Sequence, residues 1–352
     1  MRLISGRLKR KNVILTLALI CVLFYTEFFI YHINTRKWVQ LKCANPISCT
    51  RILLAADPQI IGKKNEVIHS ITPLSIWDSD RYLRVTYQRV FSYIKPDVVI
   101  FLGDLFDEGS ISTQDEFNGY VERLLDIFMV NKLPAEYIWL PGDNDIGGEG
   151  VDFVTAQKVA KFNKAFPQSD RVQTENIIFY RLNKMAHYIP EVTDNNDISN
   201  EDFIRVGLSH IPILTNYATF PEKVVKEIAP HLLFTAHEHK SKIVHCSPQN
   251  MSQREFITDP KVSKKYQYTL SSDDIYEFLI PTCSYRMGTN NIGYGYAIIE
   301  DKEVQYTVLW SPTRFPTLLI YGFILGIILP LILIAFCCKL WRIYMPLMRF
   351  CT

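Results

Sequence analysis

Asp97-Val98-Val99-Ile100-Phe101-Leu102-Gly103-Asp104-Leu105-Phe106-Asp107-Glu108-Gly109 is the stretch whose reading decides the fold. Five apolar residues, mostly β-branched, run from Val98 to Leu102 and then meet Gly103-Asp104. A run that short and that apolar reads as a strand buried on both faces. It carries Asp104 to the strand's carboxyl end, where open α/β sheets place their ligands. Taken alone, an Asp after Gly could equally begin a turn. Four other strand ends in the chain bear comparable groups, and they change the reading.

Upstream, residues 51–57 form a first buried strand that ends in Asp57-Pro58-Gln59, where Pro58 has no N–H to continue a ladder. Residues 78–95 follow as a helix, with Leu83, Val90, Phe91 and Ile94 near one stripe and Pro96 as its stop. The unit is β-α-β, so the two strands should be parallel. Downstream come a helix over 113–130, a strand over 137–140 and the sequence Pro141-Gly142-Asp143-Asn144-Asp145. A helix over 154–166, a strand over 177–181 and an acidic, Asn-rich loop over 191–202 come next. Residues 203–208 form a strand ending in Ser209-His210, followed by a short helix over 222–228. Residues 232–236 form another strand, ending in His237-Glu238-His239. Residues 276–279, 294–299 and 304–309 read as a run of antiparallel strands. The class is α/β.

The 352 residues are 48% hydrophobic and carry a net charge of only +2, with no central basic block, which argues against a nucleic-acid partner. The apolar content gathers at the two ends. Residues 13–31 make a span just long enough for a bilayer, after a basic segment over 1–12. Residues 316–338 make a second span, with Pro316 at its start and Lys339 and Arg342 beyond it. No small-x-small cleavage site follows the first span, which favours an uncleaved anchor. Basic flanks place both termini, 1–12 and 339–352, in the cytosol. A linker over 32–50 and a domain over 51–311 are then lumenal. Gly322 and Gly326 form a GxxxG, a weak pairing signal. Cys43, Cys49, Cys246 and Cys283 fall in the lumenal region, where three pairings are open; sequence distance favours Cys43–Cys49 with Cys246–Cys283. Asn250-Met251-Ser252 is a glycosylation sequon consistent with that side.

Five strands thus end in Asp57, Asp104, Asp143, His210 and the His237/His239 pair. In a parallel-type sheet such ends converge on one edge. Mixed carboxylate and imidazole donors suit manganese, iron or zinc, and a carboxylate can bridge two ions. Two such ions about 3.5–4 Å apart would bind a phosphate ester and acidify a shared water, with no Ser or Cys nucleophile.

The ordered set Asp57-x-Gln59, Gly103-Asp104-x-x-Asp107, Gly142-Asp143-Asn144-Asp145, His210 and His237-x-His239 resembles the calcineurin-like metallophosphoesterases, whose pattern is DxH, GDxxD, GNH[DE], H and GHxH. The resemblance covers residues 51–309. It implies a metallophosphoesterase-type β-sandwich flanked by helices (α/β/β/α), joined here to two transmembrane helices. It also implies that Asp57, Gln59, Asp104 and His239 bind one metal. Asp104 would bridge to a second, held by Asp143, His210 and His237. Asp107 and Asp145 look like supports that orient the ligands. The chain departs from the pattern at four places. Gln59 stands for a ligand His, Asp143 for a ligand Asn and Ala236 for a Gly. Asn144 stands for the His beside the leaving group and cannot deliver a proton near neutral pH. The shift toward oxygen donors favours manganese over zinc. Arg286 offers planar donors suited to a substrate phosphate.

The two spans, Leu105-Phe106-Asp107-Glu108-Gly109 and Asp145-Ile146-Gly147 look like the branch that remodels glycosylphosphatidylinositol (GPI) anchors. What this implies is removal of ethanolamine phosphate from GPI glycans, with GPI-anchored proteins or GPI glycolipid as substrate, membrane lipid alongside, and an ER or Golgi location. Two readings stand beside it. One is a phosphoesterase for another lipid-linked phosphate. The other is an impaired member of the fold that serves as a cargo or assembly factor.

Overall fold

The computed structural model describes residues 2–46, 48–63, 69–192, 202–215, 218–258 and 262–348. Residues 193–201, most of the expected acidic loop, lie outside the described residues. The chain forms two units, Glu27–Pro312 and a second made of Met1–Thr26 with Thr313–Thr352.

In the larger unit, β1 (Cys49–Ala55), β2 (Val98–Phe101) and β3 (Glu136–Trp139) pair in parallel, as the β-α-β reading requires. On the other side of β1 lie β12 (Gly293–Glu300), β13 (Glu303–Trp310) and β10 (Tyr266–Thr269), all antiparallel, completing a six-stranded sheet. A seven-stranded sheet runs in the order β4 (Arg171–Thr174), β5 (Ile177–Arg181), β6 (Ile204–Leu208), β7 (Leu232–Thr235), β11 (Ile275–Leu279), β8 (Lys242–Ser247) and β9 (Asn250–Thr258). Strands β5, β6, β7 and β11 are mutually parallel.

Strand alternation builds three apolar layers. Leu53, Val99 and Phe101 point outward beneath α3 (Thr72–Ile94) and α4 (Gln114–Ile127), meeting Tyr87, Val90, Phe117 and Leu124. Ile52, Leu54, Ile100 and Leu102 point the other way and meet Phe179, Val206, Leu208 and Phe234 of the second sheet. Outside that sheet, Phe220, Val224 and Ile228 of a helix over Thr219–Ile228 cover Ile178, Tyr180 and Leu233. The layering is α/β/β/α, and β2 is buried on both faces, as its apolar run requires.

Three expectations are corrected. Residues 276–279 do not join the antiparallel run with 294–299 and 304–309. As β11 they lie in the other sheet, parallel to β7 and antiparallel to β8. Ile275, Glu277, Phe278 and Leu279 are all buried, so this strand needs neighbours on both sides and layers on both faces. The helix expected from residue 78 begins at Thr72, with Pro73 in its first turn, and closes on Lys95 in the left-handed region before Pro96. Finally, Cys43 and Cys49 form a disulfide, but Cys246 and Cys283 are unpaired. Cys283 belongs to the layer under α3, and Cys246 to the layer beneath Phe220 and Val224. Different core layers hold the two thiols apart.

At the N-terminus, α1 (Arg2–Phe24) continues through a π-turn over Tyr25–Phe29 into α2 (Ile30–Thr35). Val13–Thr35 and Phe315–Trp341 are long and apolar enough to cross a membrane, by length and composition. Within the smaller unit the hydroxyls of Thr26 and Tyr321 hydrogen-bond. A Cβ at Gly322 or Gly326 would meet nothing within 4 Å among the described residues, so the GxxxG mediates no close packing with them.

Candidate metal centre

The loops after β1, β2 and β3 deliver Asp57, Asp104 and Asp143, and those after β6 and β7 deliver His210 and His237. The expected convergence therefore occurs between two sheets, and not along the edge of one. Two groups of potential metal-binding side chains result, Asp57/Asp104/His210 and Asp143/His210/His237. Within each group the ligand atoms lie within 4.8 Å of one another. His210 belongs to both groups, whereas the sequence reading gave that shared position to Asp104.

Close approach of backbones makes this convergence possible. A Cβ on Gly103, whose φ is +93°, would come within 2.7 Å of the Gly142 nitrogen and of His210 Nδ1. Only glycine fits there. Asp57, Gln59, Asp104, His237 and His239 all adopt positive φ although none is glycine. Such backbone costs about 1–3 kcal/mol per residue and persists only where the surroundings over-determine it. Strain is thus concentrated on the ligand-bearing residues.

Local hydrogen bonds aim the side chains. The buried His210 donates from Nδ1 to the Leu102 carbonyl at 2.8 Å, leaving Nε2 to face Asp143 Oδ1 at 2.8 Å and Asp104 Oδ1 at 3.5 Å. His237 Nδ1 lies 3.1 Å from the same Asp143 oxygen. Asp104 accepts from the Asn144 backbone N–H at 3.0 Å, from Asn144 Nδ2 at 3.0 Å and from Gln59 Nε2 at 2.9 Å. The Asp145 carboxylate accepts the backbone N–H groups of Gly142, Leu105 and Phe106, which ties the β3 loop to the β2 loop. Asp107 lies farther out, 3.4 Å from Arg286 Nη2, and Arg286 also donates to the Gln59 carbonyl at 3.1 Å. His239 Nε2 stands 4.0 Å from Asp57 Oδ2.

The donor set fits a cation. Asp57 is fully buried and neither carboxylate oxygen has a hydrogen-bond partner. Burial pushes its carboxyl up to about 8, with Asp104 adding to the rise and His210 opposing it. Burial lowers His210, but Asp104, the hydrogen bond with Asp143 and Asp57 outweigh it and hold the ring at about 10. Burial also raises Asp143, yet the bonds with His210 and His237 bring it below its ordinary value. Desolvation together with His210 and His237 pulls His239 down to about 4. Carboxylates this buried, facing imidazole lone pairs, are unfavourable unless a proton or a metal ion lies between them. A ring that gives its second N–H to a backbone carbonyl is the usual support of a metal-binding His.

Two contributors escaped the sequence reading. One is the Leu102 carbonyl, which no side-chain pattern reveals. The other is Glu277, buried in β11, which accepts from Ile213 N at 2.6 Å, Leu214 N at 2.8 Å and Thr235 Oγ1 at 3.0 Å and so fixes the loop after His210. A single carboxylate within Tyr276-Glu277-Phe278-Leu279 was its available signal.

Comparison with known proteins agrees with this geometry. Metallophosphoesterase 1 of Danio rerio is 29% identical over 191 residues, covering 53% of this chain and 48% of that protein. The Metallophosphoesterase 1 homolog of Caenorhabditis elegans is 24% identical over 359 residues, covering 93% of each. Cell division control protein 1 of Saccharomyces cerevisiae is 23% identical over 282 residues, covering 68% of this chain and 53% of that protein. The chain spans about half the length of the first of these relatives. Residues 50–241, which include each of the converging Asp and His residues, match the calcineurin-like phosphoesterase family, and the chain belongs to that family.

Proposed function

We propose that the chain is a membrane-anchored two-metal phosphodiesterase that removes ethanolamine phosphate from GPI glycans on the lumenal side of the ER or Golgi membrane. One observation carries the reading: carboxylates and imidazoles from five strand ends meet around the buried His210. When bound there, two divalent ions would polarise the phosphate oxygens and acidify a water near neutral pH. Three carboxylates among the donors favour manganese. Asp104 has two oxygens and would be the residue shared between the ions, whereas His210 has one free nitrogen once Nδ1 donates to Leu102. Asp57, Gln59 and His239 would complete one ion's set, and Asp143, His210 and His237 the other's. Arg286, fixed by Asp107 and the Gln59 carbonyl, is assigned to the substrate phosphate. The name Metallophosphoesterase 1, shared by several relatives, supports metal-dependent ester hydrolysis. Two apolar helices suit a lipid-linked substrate.

Asn144 favours a second reading. Its amide is engaged with Asp104 and has no proton to give a leaving group, as an impaired cargo or assembly factor could tolerate. The test measures hydrolysis of alkyl and aryl phosphodiesters by the full chain in detergent with manganese. It compares the native protein with Asn144→His alone and with Asp143→Asn added. Native turnover should depend on metal, and the His should raise alkyl-ester turnover about tenfold or more. Two bound metals without hydrolysis in any variant would leave the second reading in place. In cells lacking the chain, GPI glycans should retain ethanolamine phosphate. Unchanged glycans with intact phosphodiester turnover would point to another lipid-linked phosphate.

A further inference from the structure

Helix α3 does more than cover the first sheet. Its outward side carries Leu74 and Trp77, which with Ile71 just before the helix are 62%, 58% and 63% exposed. Residues 71, 74, 77, 81, 85 and 89 trace one helical face. Along it the character changes from apolar to basic. Arg81 lies 5.9 Å from the Trp77 ring and forms an ion pair with Glu27. Arg89, two turns on, lies 5.8 Å from the Phe28 ring and 5.7 Å from the Tyr31 ring. Among the described residues, Arg89 has these aromatic neighbours and no carboxylate partner.

Both guanidinium groups open into a cleft of about 590 Å³, walled also by Phe28, Trp38 and Tyr93. Glu27 is the only carboxylate among its described lining residues, so two positive charges face one negative. Residues 27–35 are the last turns of the apolar segment that is long enough to cross a bilayer. The cleft therefore lies where that segment ends, the level at which headgroup phosphates lie around a spanning helix. Planar guanidinium donors match phosphate oxygens, and Trp, Tyr and Arg beside exposed Ile and Leu suit the membrane interface.

We propose that this cleft binds the phosphate of a membrane phospholipid through Arg89 and Arg81, with Ile71, Leu74 and Trp77 resting in the headgroup boundary beside it. The assignment rests on reading residues 13–35 as a membrane span. Bound lipid then holds α3, and with it the face of the first sheet that α3 covers, at the membrane surface.

The test titrates the full chain in detergent with dihexanoyl phosphatidic acid, following its melting temperature, with inorganic phosphate as comparison. The lipid should raise the melting temperature saturably, and phosphate should not. Arg89→Gln should weaken the apparent affinity about tenfold or more, the value of a charge-assisted hydrogen bond. Ser92→Glu, at an exposed position on the cleft wall, should weaken it similarly and decides the matter if Arg89→Gln does not fold. Equal lipid response in all three proteins overturns the proposal. An equal response to inorganic phosphate overturns it in favour of a free-anion site. Carbonate extraction of native membranes tests the span separately. Release of the chain would refute the spanning reading, while the titration still reports on the cleft.

Discussion

Gly142→Ala is the sharpest perturbation of the metal centre. The φ of Gly142 is −102°, so alanine is allowed by the backbone, and the test is steric. The new Cβ would fall on the Asp104 carboxylate and amide nitrogen and within 2.8 Å of its Cα, where ordinary contact begins near 3.4 Å. The amide nitrogen, at 2.2 Å, is the nearest backbone atom, so the two loops must separate by about 1.2 Å. That displacement pulls on the Asn144 bonds to Asp104 and on the Asp145 bond to Gly142. Overpacking of this kind costs about 1–3 kcal/mol. Disturbing the groups that orient a ligand typically costs about 10–100-fold in metal affinity. A loss of that size removes about 1.4–2.7 kcal/mol of metal-linked stabilisation. At about 2–4 °C per kcal/mol, the metal-free melting point should fall on the order of 2–12 °C, and the rise on adding manganese should shrink by about 3–11 °C. Differential scanning calorimetry of the full chain in detergent, with chelator and then with manganese, separates the two effects. Gly119→Ala, in α4 with nothing within 4 Å of the added Cβ, is the control and should stabilise by about 0.5–1 kcal/mol. A Gly142→Ala protein that melts as native and responds fully to manganese would refute the close packing of these loops around Asp104.

Asp104→Asn should lose more bound metal than any other single ligand change, because Asp104 is assigned to both ions; two ions retained by elemental analysis would refute the bridge. His231 tests the pH dependence of folding. Its Nδ1 accepts the Arg205 backbone N–H at 3.1 Å, and burial with Arg205 and Lys302 lowers the ring from 6.5 to about 4. A depressed folded-state value means that stability is full above pH 6.5 and is lost as pH falls toward 4. With partial exposure discounted, the loss is about 2 kcal/mol, and His231→Gln in chelator should flatten the profile over that window; parallel profiles would exclude His231 as the cause. Asn250 is exposed at the start of β9, and the positive-inside assignment makes it lumenal, so a glycosidase-sensitive mass shift is expected there. Cleavage of the 39–312 region by protease added outside sealed ER vesicles would refute that topology.

What was legible in the sequence follows from burial. β1, β2 and β7 stand between covered faces, so residues 52–56, 98–102 and 232–234 form apolar runs that mark both the strand and the Asp or His that follows it. β8 and β9 lie toward an edge, and Lys242, His245, Gln253 and Glu255 break any such run, so neither strand was anticipated. The first turns of α3 escaped because Leu74 and Trp77 face outward and blur the buried stripe. Gln59 shows a different limit. Its place beside Asp104 was readable, but the direction of its amide, with the nitrogen toward Asp104, depends on a hydrogen-bond network that exists only after folding. Cys246 and Cys283 went astray because separation along the chain does not record which core layer a strand faces.

The division of the centre between two sheets has a mechanical consequence. Asp57, Asp104 and Asp143 hang from one sheet, and His210 and His237 from the other, with an apolar layer of Ile100, Leu102, Leu208 and Phe234 between them. Any slip of one sheet over the other changes the distances across the centre before it breaks a single strand pairing. Ions bound there would act as a rivet through the laminate, and that apolar layer as its gasket. A methyl group removed at Ile100 or Leu208, neither of them a ligand, is then felt as play in the rivet hole.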